Sequence, residues 1–176
     1  MENVEQHIEK VTSLLDDLDL NCKCKFSAWC ANAILLEPTI KNTLFEITKS
    51  NATYQMLQAI IQACWYDYKL VNIQPTIELI NEIDFSQEDY PDLVVGLEGL
   101  NELLIAIECI VQGILNNDSV YFANVAENTI NWKDIEVEYS DSANQQLNLK
   151  KYKDEYIIQI NFLENLKSKK LDNLSL

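Results

Sequence analysis

Glycine and proline are scarce in this chain, and that scarcity limits what it can fold into. Among 176 residues there are only three of each. The three glycines, Gly96, Gly99 and Gly113, all fall within one apolar stretch, so none of them marks a turn. All-β sandwiches and barrels need many tight turns, which use these two residue types heavily. The sequence therefore predicts an all-α fold, a single domain of long helices with short connections.

Apolar residues recur at three- and four-residue spacing along most of the chain, which predicts a bundle of about seven helices. Pro38 falls inside one of them and is expected to kink or break it, because proline lacks the amide donor and crowds the preceding turn; a kinked helix is the preferred interpretation. Neither an internal repeat nor a linker divides the sequence, so one domain is expected over residues 1–176, with 171–176 as a frayed tail. The predicted helices cover residues 2–18, 23–50 with the kink, 54–68, 75–83, 91–115, 120–130 and 149–170.

The helix that begins at Pro91 is the most apolar, and two of its sides carry aliphatic residues. This pattern predicts a long central helix, although a coiled coil with a partner helix would give the same heptad spacing. After residue 130, Ile135 and Val137 alternate with charged residues as they would in a strand. No second strand is evident to pair with it, so residues 131–146 are predicted to form a long acidic loop.

The segment NCKCKFSAWC, residues 21–30, concentrates three of the five cysteines. A tetrahedral zinc site is typically built from C-x2-C pairs or from cysteine with histidine, and this chain has neither a C-x2-C pair nor a second histidine beside His7. On a helix, Cys24 and Cys30 point to nearly opposite sides, because six residues advance the angle by about 240°. These cysteines are therefore predicted to pack as small apolar residues, with no metal or cofactor, and Cys22 is expected to be the most exposed thiol.

The polar, acidic amino terminus does not resemble a secretory signal, and the odd number of cysteines suits reduced thiols, so a cytoplasmic protein is expected. Glu98, Glu102 and Glu108 interrupt the most apolar stretch, which argues against a membrane span.

Few residues are suited to catalysis. His7 is expected on the surface, and a single histidine cannot supply a helical di-iron site. The glycines form no G-x-G phosphate loop. Glu98 and Glu102 lie one helical turn apart, and a buried glutamate can act as a general acid or base, although pairing with a lysine or a backbone group is more common. The chain is therefore predicted not to be an enzyme.

The charge balance is strongly acidic, with 13 basic residues against 28 acidic ones and a net charge of −15. Such a surface repels phosphate backbones, which argues against nucleic-acid binding, and attracts a basic protein. The alternative is that the charge only keeps the protein soluble.

Two acidic segments contain aromatic residues and are predicted to bind a protein partner, since carboxylates attract a basic surface and aromatic side chains anchor it. The alternative is a pair of solvated loops. The first set is Glu82, Asp84, Glu88, Asp89, Tyr90 and Asp92. The second set is Trp132, Asp134, Glu136, Glu138, Tyr139 and Asp141.

Three stretches, FSAWCANAILLEPTIKNTLFEI, MLQAIIQACWYDY and YPDLVVGLEGLNELLIAIE, resemble the YjaG-like family of bacterial all-helical proteins of unknown function. The shared positions are Cys30, Pro38, Trp65, Tyr90, Pro91 and Glu98. Glu98 stands where that family is expected to carry Asp. The resemblance covers about residues 20–165. It implies an α-helical single domain with a proline-kinked helix, without established catalytic residues and with an association with signalling.

The leading functional hypothesis is an immunity or antitoxin protein that masks a bacterial toxin, with a basic nuclease as the expected target. The alternative is a YjaG-like regulatory protein that docks on a signalling partner or forms a homodimer. A third hypothesis, an enzyme that uses Glu98, has the least support.

Overall fold

The computed structural model describes residues 3–168 and 176, and every regular element within them is helical. The all-α class is thus confirmed, with eight α-helices in these residues where about seven were predicted. Single-turn 3-10 helices, Tyr68–Leu70 and Pro91–Leu93, precede the fifth and sixth. The α-helices are α1 (Val4–Asp16), α2 (Leu20–Leu35), α3 (Pro38–Thr48), α4 (Ala52–Tyr66), α5 (Ile73–Glu82), α6 (Val94–Asn116), α7 (Ser119–Glu138) and α8 (Gln145–Lys167).

Pro38 separates two helices, so the chain has the break and not the preferred kink, and this accounts for the additional helix. Glu37 has extended backbone angles (φ −65°, ψ 127°), which is the conformation that a following proline favours. Pro38 then occupies the first turn of α3, where its missing N–H would have no helical partner. The chain therefore changes direction at this point.

The predicted acidic loop after residue 130 is also wrong, because α7 continues to Glu138. Trp132 is buried and Ile135 packs on the core, and their three-residue spacing places them on one side of a helix. The strand-like pattern came from Ile135 and Val137, which alternate with Asp134, Glu136 and Glu138; on α7, Asp134 and Glu138 are exposed and Glu136 is half-buried.

Smaller differences concern helix ends. Pro75 is the third residue of α5, where it had been expected as the first, and α8 begins at Gln145, one turn earlier than expected. Residues 169–170 of the predicted last helix lie outside the described residues, as does most of the expected tail. Leu176 is half-buried and packs against the core.

The turns between the helices contain no glycine in the described residues, so they use capping side chains and two residues with left-handed backbone angles. Lys49 (φ 53°) ends α3 and Asn117 (φ 50°) ends α6. Asp19 accepts the Cys22 N–H at 2.8 Å and so caps α2, and Asp118 accepts the Val120 N–H at 3.0 Å and caps α7. These polar side chains satisfy amide groups that the helix starts leave unpaired.

One hydrophobic core connects the helices, and α2, α6 and α7 lie at its centre. The expectation that α6 alone forms this centre is not confirmed, since α2 and α7 are buried to a similar degree. The glycines of α6 allow close approach of neighbouring elements. Gly96 faces Thr43, and Gly99 faces the ring of Trp132.

The cysteine segment lies in the middle of this core. Cys24 and Cys30 are fully buried on α2, where the Cys64 thiol of α4 donates to the Cys24 carbonyl and the Thr129 hydroxyl of α7 donates to the Cys30 carbonyl, both at 3.3 Å. The carbonyls of these two cysteines therefore bond to different neighbouring helices, and the burial of both side chains agrees with their predicted packing as small apolar residues.

His7 is fully buried, so its expected surface position is wrong. The Gln159 amide group donates to the Ala126 carbonyl (3.1 Å) and to Glu155 Oε1 (3.0 Å). The side-chain oxygen of Gln159 therefore accepts a hydrogen bond from His7 Nε2 at 2.8 Å. This bond places the imidazole proton on Nε2. This buried polar chain joins α1, α7 and α8.

No helix in the described ranges combines the length and apolar character needed to cross a bilayer.

Candidate protein-binding surface

The first acidic segment begins at Glu82, the last residue of α5, and continues as a series of tight turns towards α6. The Asp89 N–H donates to the Ser86 carbonyl at 3.1 Å, and the Tyr90 N–H donates to the Gln87 carbonyl at 3.3 Å. The Ser86 hydroxyl accepts the Glu88 N–H at 3.2 Å. Because the backbone satisfies its own hydrogen bonds, the acidic side chains of this segment project into solvent.

The second acidic segment is the last turn of α7 together with the turn that leads into α8. Asn148 of α8 donates to the Glu136 carbonyl at 3.2 Å and to the Ser140 hydroxyl at 2.7 Å. Asp141 accepts the Asn144 N–H at 2.9 Å. These bonds fix the direction in which α8 leaves α7.

The two segments border one cavity of about 380 Å³. Phe85 and Gln87 line it from the turns before α6, and Ile135 lines it from α7. Its remaining wall is α6, with Leu97, Glu98, Asn101 and Glu102. Segments about fifty residues apart in sequence thus meet at a single concave surface, here called the acidic cavity.

Hydrogen bonds hold both carboxylates of the acidic cavity to α7 or to its C-terminal cap. The Tyr139 hydroxyl donates to Glu98 Oε1 at 3.0 Å, and the Asn131 amide donates to Glu102 Oε2 at 3.1 Å. Each carboxylate therefore has a fixed position and still has oxygen lone pairs for a further donor.

Two pKa values at this surface are raised, for different reasons. The hydrogen bond to Glu98 is the main cause of a raised pKa at Tyr139. Loss of solvent raises the pKa of Glu102, the Asn131 hydrogen bond opposes this, and the negative charge of Glu127 adds to it. A cation placed beside Glu102 would favour its ionised form.

Most of the predicted binding residues are exposed. These are Glu82, Asp84, Glu88, Asp89, Asp92, Asp134, Glu138, Tyr139 and Asp141, whereas Tyr90 is half-buried.

Two other predicted binding residues, Trp132 and Glu136, are not exposed. Trp132 is 1% exposed and packs against Gly99, so its predicted place on the surface is wrong. Glu136 is half-buried and receives Lys133 Nζ at 2.8 Å, while the same ammonium group lies 3.1 Å from Glu37. Its charge is thus largely balanced within the protein.

None of the twelve predicted binding residues lines the acidic cavity itself, and sequence reasoning missed lining residues such as Phe85, Gln87 and Asn101. Glu98 and Glu102 are considered above for catalysis or for pairing with a lysine or a backbone group, not for binding a partner, and Glu98, expected to be buried, is half-buried. The available signal in the sequence was the spacing of Glu98, Asn101 and Glu102 within an apolar helix, because these polar residues mark the side of α6 that the core does not cover.

The cavity offers carboxylate and amide oxygens beside apolar walls, which suits a cationic side chain. In the described part of the chain, no three side chains of His, Cys, Asp or Glu converge as a metal site would require.

The chain matches no protein-family model, no curated protein and no solved structure. The resemblance to the YjaG-like family therefore stays a prediction.

Proposed function

We propose that this chain is a non-catalytic binding module whose acidic surface docks on a basic protein. Within that class we propose a bacterial immunity or antitoxin protein, which neutralises its toxin by covering the toxin's active or substrate-binding surface. A basic nuclease is the target that best fits an acidic inhibitor. The observation that carries the proposal is the acidic cavity, which is bordered by both acidic segments.

The electrostatics support this choice of partner. A nuclease binds phosphates in a basic channel, so a carboxylate-rich surface can compete for the same lysines and arginines. A net charge of −15 also accelerates the encounter with a basic protein and disfavours binding to nucleic acid. The acidic character therefore favours both the speed and the selectivity of docking.

The shape of the acidic cavity supports it as well. Lysine and arginine bury an aliphatic stem and keep the charged group in a polar environment. Phe85, Leu97 and Ile135 provide apolar walls for such a stem, and Glu98 and Glu102 lie in the same cavity as acceptors. One basic side chain of the partner is expected to insert here.

Charge reversal tests the proposal. The chain is used as bait for affinity capture from its native host, and the captured protein is then tested for toxicity with and without the chain. Reversing two carboxylates at either segment is expected to weaken binding at least about tenfold and to abolish protection. The variants are Glu88→Lys with Asp89→Lys, and Asp134→Lys with Glu138→Lys.

Glu5→Lys with Glu9→Lys is the matched control, because it changes the net charge equally on exposed positions of α1. It is expected to protect as the unchanged chain does. The affinity of the unchanged chain should also fall as salt rises. Full protection by both segment variants would exclude the acidic surface as the binding site.

A further inference from the structure

A second concave surface lies between α4 and α5, and none of the residues that line it borders the acidic cavity. Its volume is about 260 Å³. The lining is mainly aliphatic, and we call it the apolar groove. Its main side chains are Met56, Ile60, Leu70, Val71, Pro75 and Leu79.

The apolar groove leaves large hydrophobic side chains in water. Met56 is 55% exposed and Leu70 is 62% exposed. Isolated exposed hydrophobic residues are common on protein surfaces, but here two of them lie in the same concave surface as Ile60 and Leu79. Covering such a surface would remove apolar area from water and so favour association.

The dimensions of the apolar groove suit the side chains of a protein partner better than they suit a small-molecule ligand. Small-ligand cavities usually hold roughly 300 to 1,000 Å³, and this groove is smaller and open to solvent. Met56, Ile60 and Ala63 follow one another along α4 at spacings of four and three, so one wall extends for about 10 Å. That length matches two turns of a helix lying in the groove.

Carboxylates lie along the α5 side. Glu78 is three residues after Pro75, and Glu82 is three residues after Leu79, so both lie beside groove residues on the helix surface. Both are exposed, and Gln74 donates to Glu78 at 3.0 Å. Lys69, next to Leu70, is the cation nearest to the groove in sequence. The α5 side therefore favours a basic occupant.

We propose that the apolar groove binds an amphipathic helix whose apolar side chains are flanked by lysine or arginine. The basic character of the occupant rests on the function proposed above, and the groove adds an apolar anchor to that contact. Glu82 ends α5 and belongs to the first acidic segment, so the groove and that segment adjoin along the chain. A basic protein docked on the acidic turns would have the groove within reach.

A synthetic helical peptide of leucine and lysine tests this without the natural partner. The labelled peptide is titrated with the whole chain at physiological salt, and binding is followed by fluorescence anisotropy. Met56→Gln with Leu70→Gln preserves every charge and is expected to weaken binding about tenfold. Leu115→Gln with Val120→Gln is the matched control, since both residues are similarly exposed outside the groove and binding should not change.

Other outcomes would overturn the proposal. Equal affinity of the Met56 and Leu70 variant would mean that the peptide binds by charge alone. Equal affinity for a leucine and glutamate peptide would mean that charge does not select the occupant. A dimer in light scattering that the Met56 and Leu70 variant dissociates would identify a second copy of the chain as the occupant. Protection against the toxin is measured with the charge-reversal variants, and peptide binding is measured with the groove variants. Failure of the proposed function and failure of the apolar groove as a binding site are therefore distinguished.

Discussion

At the scale of single residues, Gly99 shows what a small side chain does in a helix core. A Cβ added there would lie 2.6 Å from Ile40 Cδ1 and would also press on the ring of Trp132. A Gly→Ala change inside a helix ordinarily stabilises a protein by up to about 1 kcal/mol. A destabilising effect of Gly99→Ala would therefore reveal the close contact with Ile40 and Trp132.

Gly99→Ala is expected to lower the free energy of unfolding by about 1–3 kcal/mol, because three packed elements must move apart. Urea denaturation followed by circular dichroism measures this. Asn101→Ala, at an exposed position of the same helix, should leave stability nearly unchanged or slightly raised. A stabilised Gly99→Ala protein would contradict the close approach.

Glu155 predicts a pH dependence of stability. It is 7% exposed, and loss of solvent raises its pKa, while the Gln159 hydrogen bond and the charge of Lys133 oppose the rise. The unfolded carboxyl therefore releases its proton at a lower pH than the folded one. The stability linked to protonated Glu155 is complete below the unfolded pKa, near 4.5, and is lost as pH rises through the folded pKa.

Glu155→Gln is thus expected to increase stability at pH 7 relative to the unchanged chain and to reduce the difference between pH 7 and pH 4.5. Its amide oxygen can still accept the Gln159 hydrogen bond. Urea denaturation across this pH range is the measurement. Glu164→Gln, at an exposed position of α8, is the control and should leave the profile unchanged. An equal effect of both variants would contradict the role of burial.

At the scale of helices, the last turn of α7 depends on a partly buried ion cluster. Lys133 Nζ lies 2.8 Å from Glu136 and 3.1 Å from Glu37, and its side chain is only 10% exposed. The cluster joins α7 to the connection between α2 and α3, and α7 in turn carries the second acidic segment.

Lys133→Met is expected to cost about 1.5–3 kcal/mol, because two carboxylates lose their cation and a charge-assisted hydrogen bond. Amide hydrogen exchange at residues 134–138 should also become faster. Lys49→Met removes the exposed contact with Glu46 and should cost less than about 1 kcal/mol. Equal losses of stability in Lys133→Met and Lys49→Met would show that the ion cluster does not stabilise the end of α7.

Helices were more predictable than their ends. The periodicity of α1 and α4 is simple, since each has one apolar face. Pro38 was ambiguous because a proline kinks a helix when the chain continues straight and begins a new one when it turns, and tertiary packing decides between them. The end of α7 was hidden because Lys133 also pairs with Glu37 of the connection between α2 and α3, a contact between residues 96 positions apart that the sequence does not show.

At the scale of the whole molecule, the five cysteines report how tightly the core is closed. Cys24, Cys30 and Cys64 are buried, whereas Cys22 and Cys109 are half-buried. Burial raises the pKa of Cys30 well above its ordinary value. Burial, with the charges of Glu108 and Glu127, raises the pKa of Cys109 to about 11.

A small maleimide at pH 8 is therefore expected to label Cys22 first, Cys109 more slowly, and the three buried thiols only when urea unfolds the chain. The reactive species is the thiolate, which burial and a high pKa both suppress. Mass spectrometry of digested samples assigns each site. Rapid labelling of Cys30 or Cys64 in the native protein would mean that the core opens readily.

The candidate binding surface was predictable in part. Glu88, Asp89 and Asp134 are exposed, as acidic side chains usually are. The meeting of the two segments was not predictable, since it depends on how α6 and α7 pack. The burial of Trp132 was missed for the same reason, because a tryptophan among charges is hydrophobic enough to turn inward once the segment is helical.

The three tryptophans determine what the protein's own fluorescence can report. Trp132 and Trp65 are buried, with Lys25 above the Trp65 ring, and Trp29 stacks on Phe162 at 4.4 Å. None of the three lines the acidic cavity or the apolar groove. Intrinsic emission will thus follow unfolding of the helices but will be insensitive to docking, and a binding assay on this protein needs an introduced fluorophore at either surface.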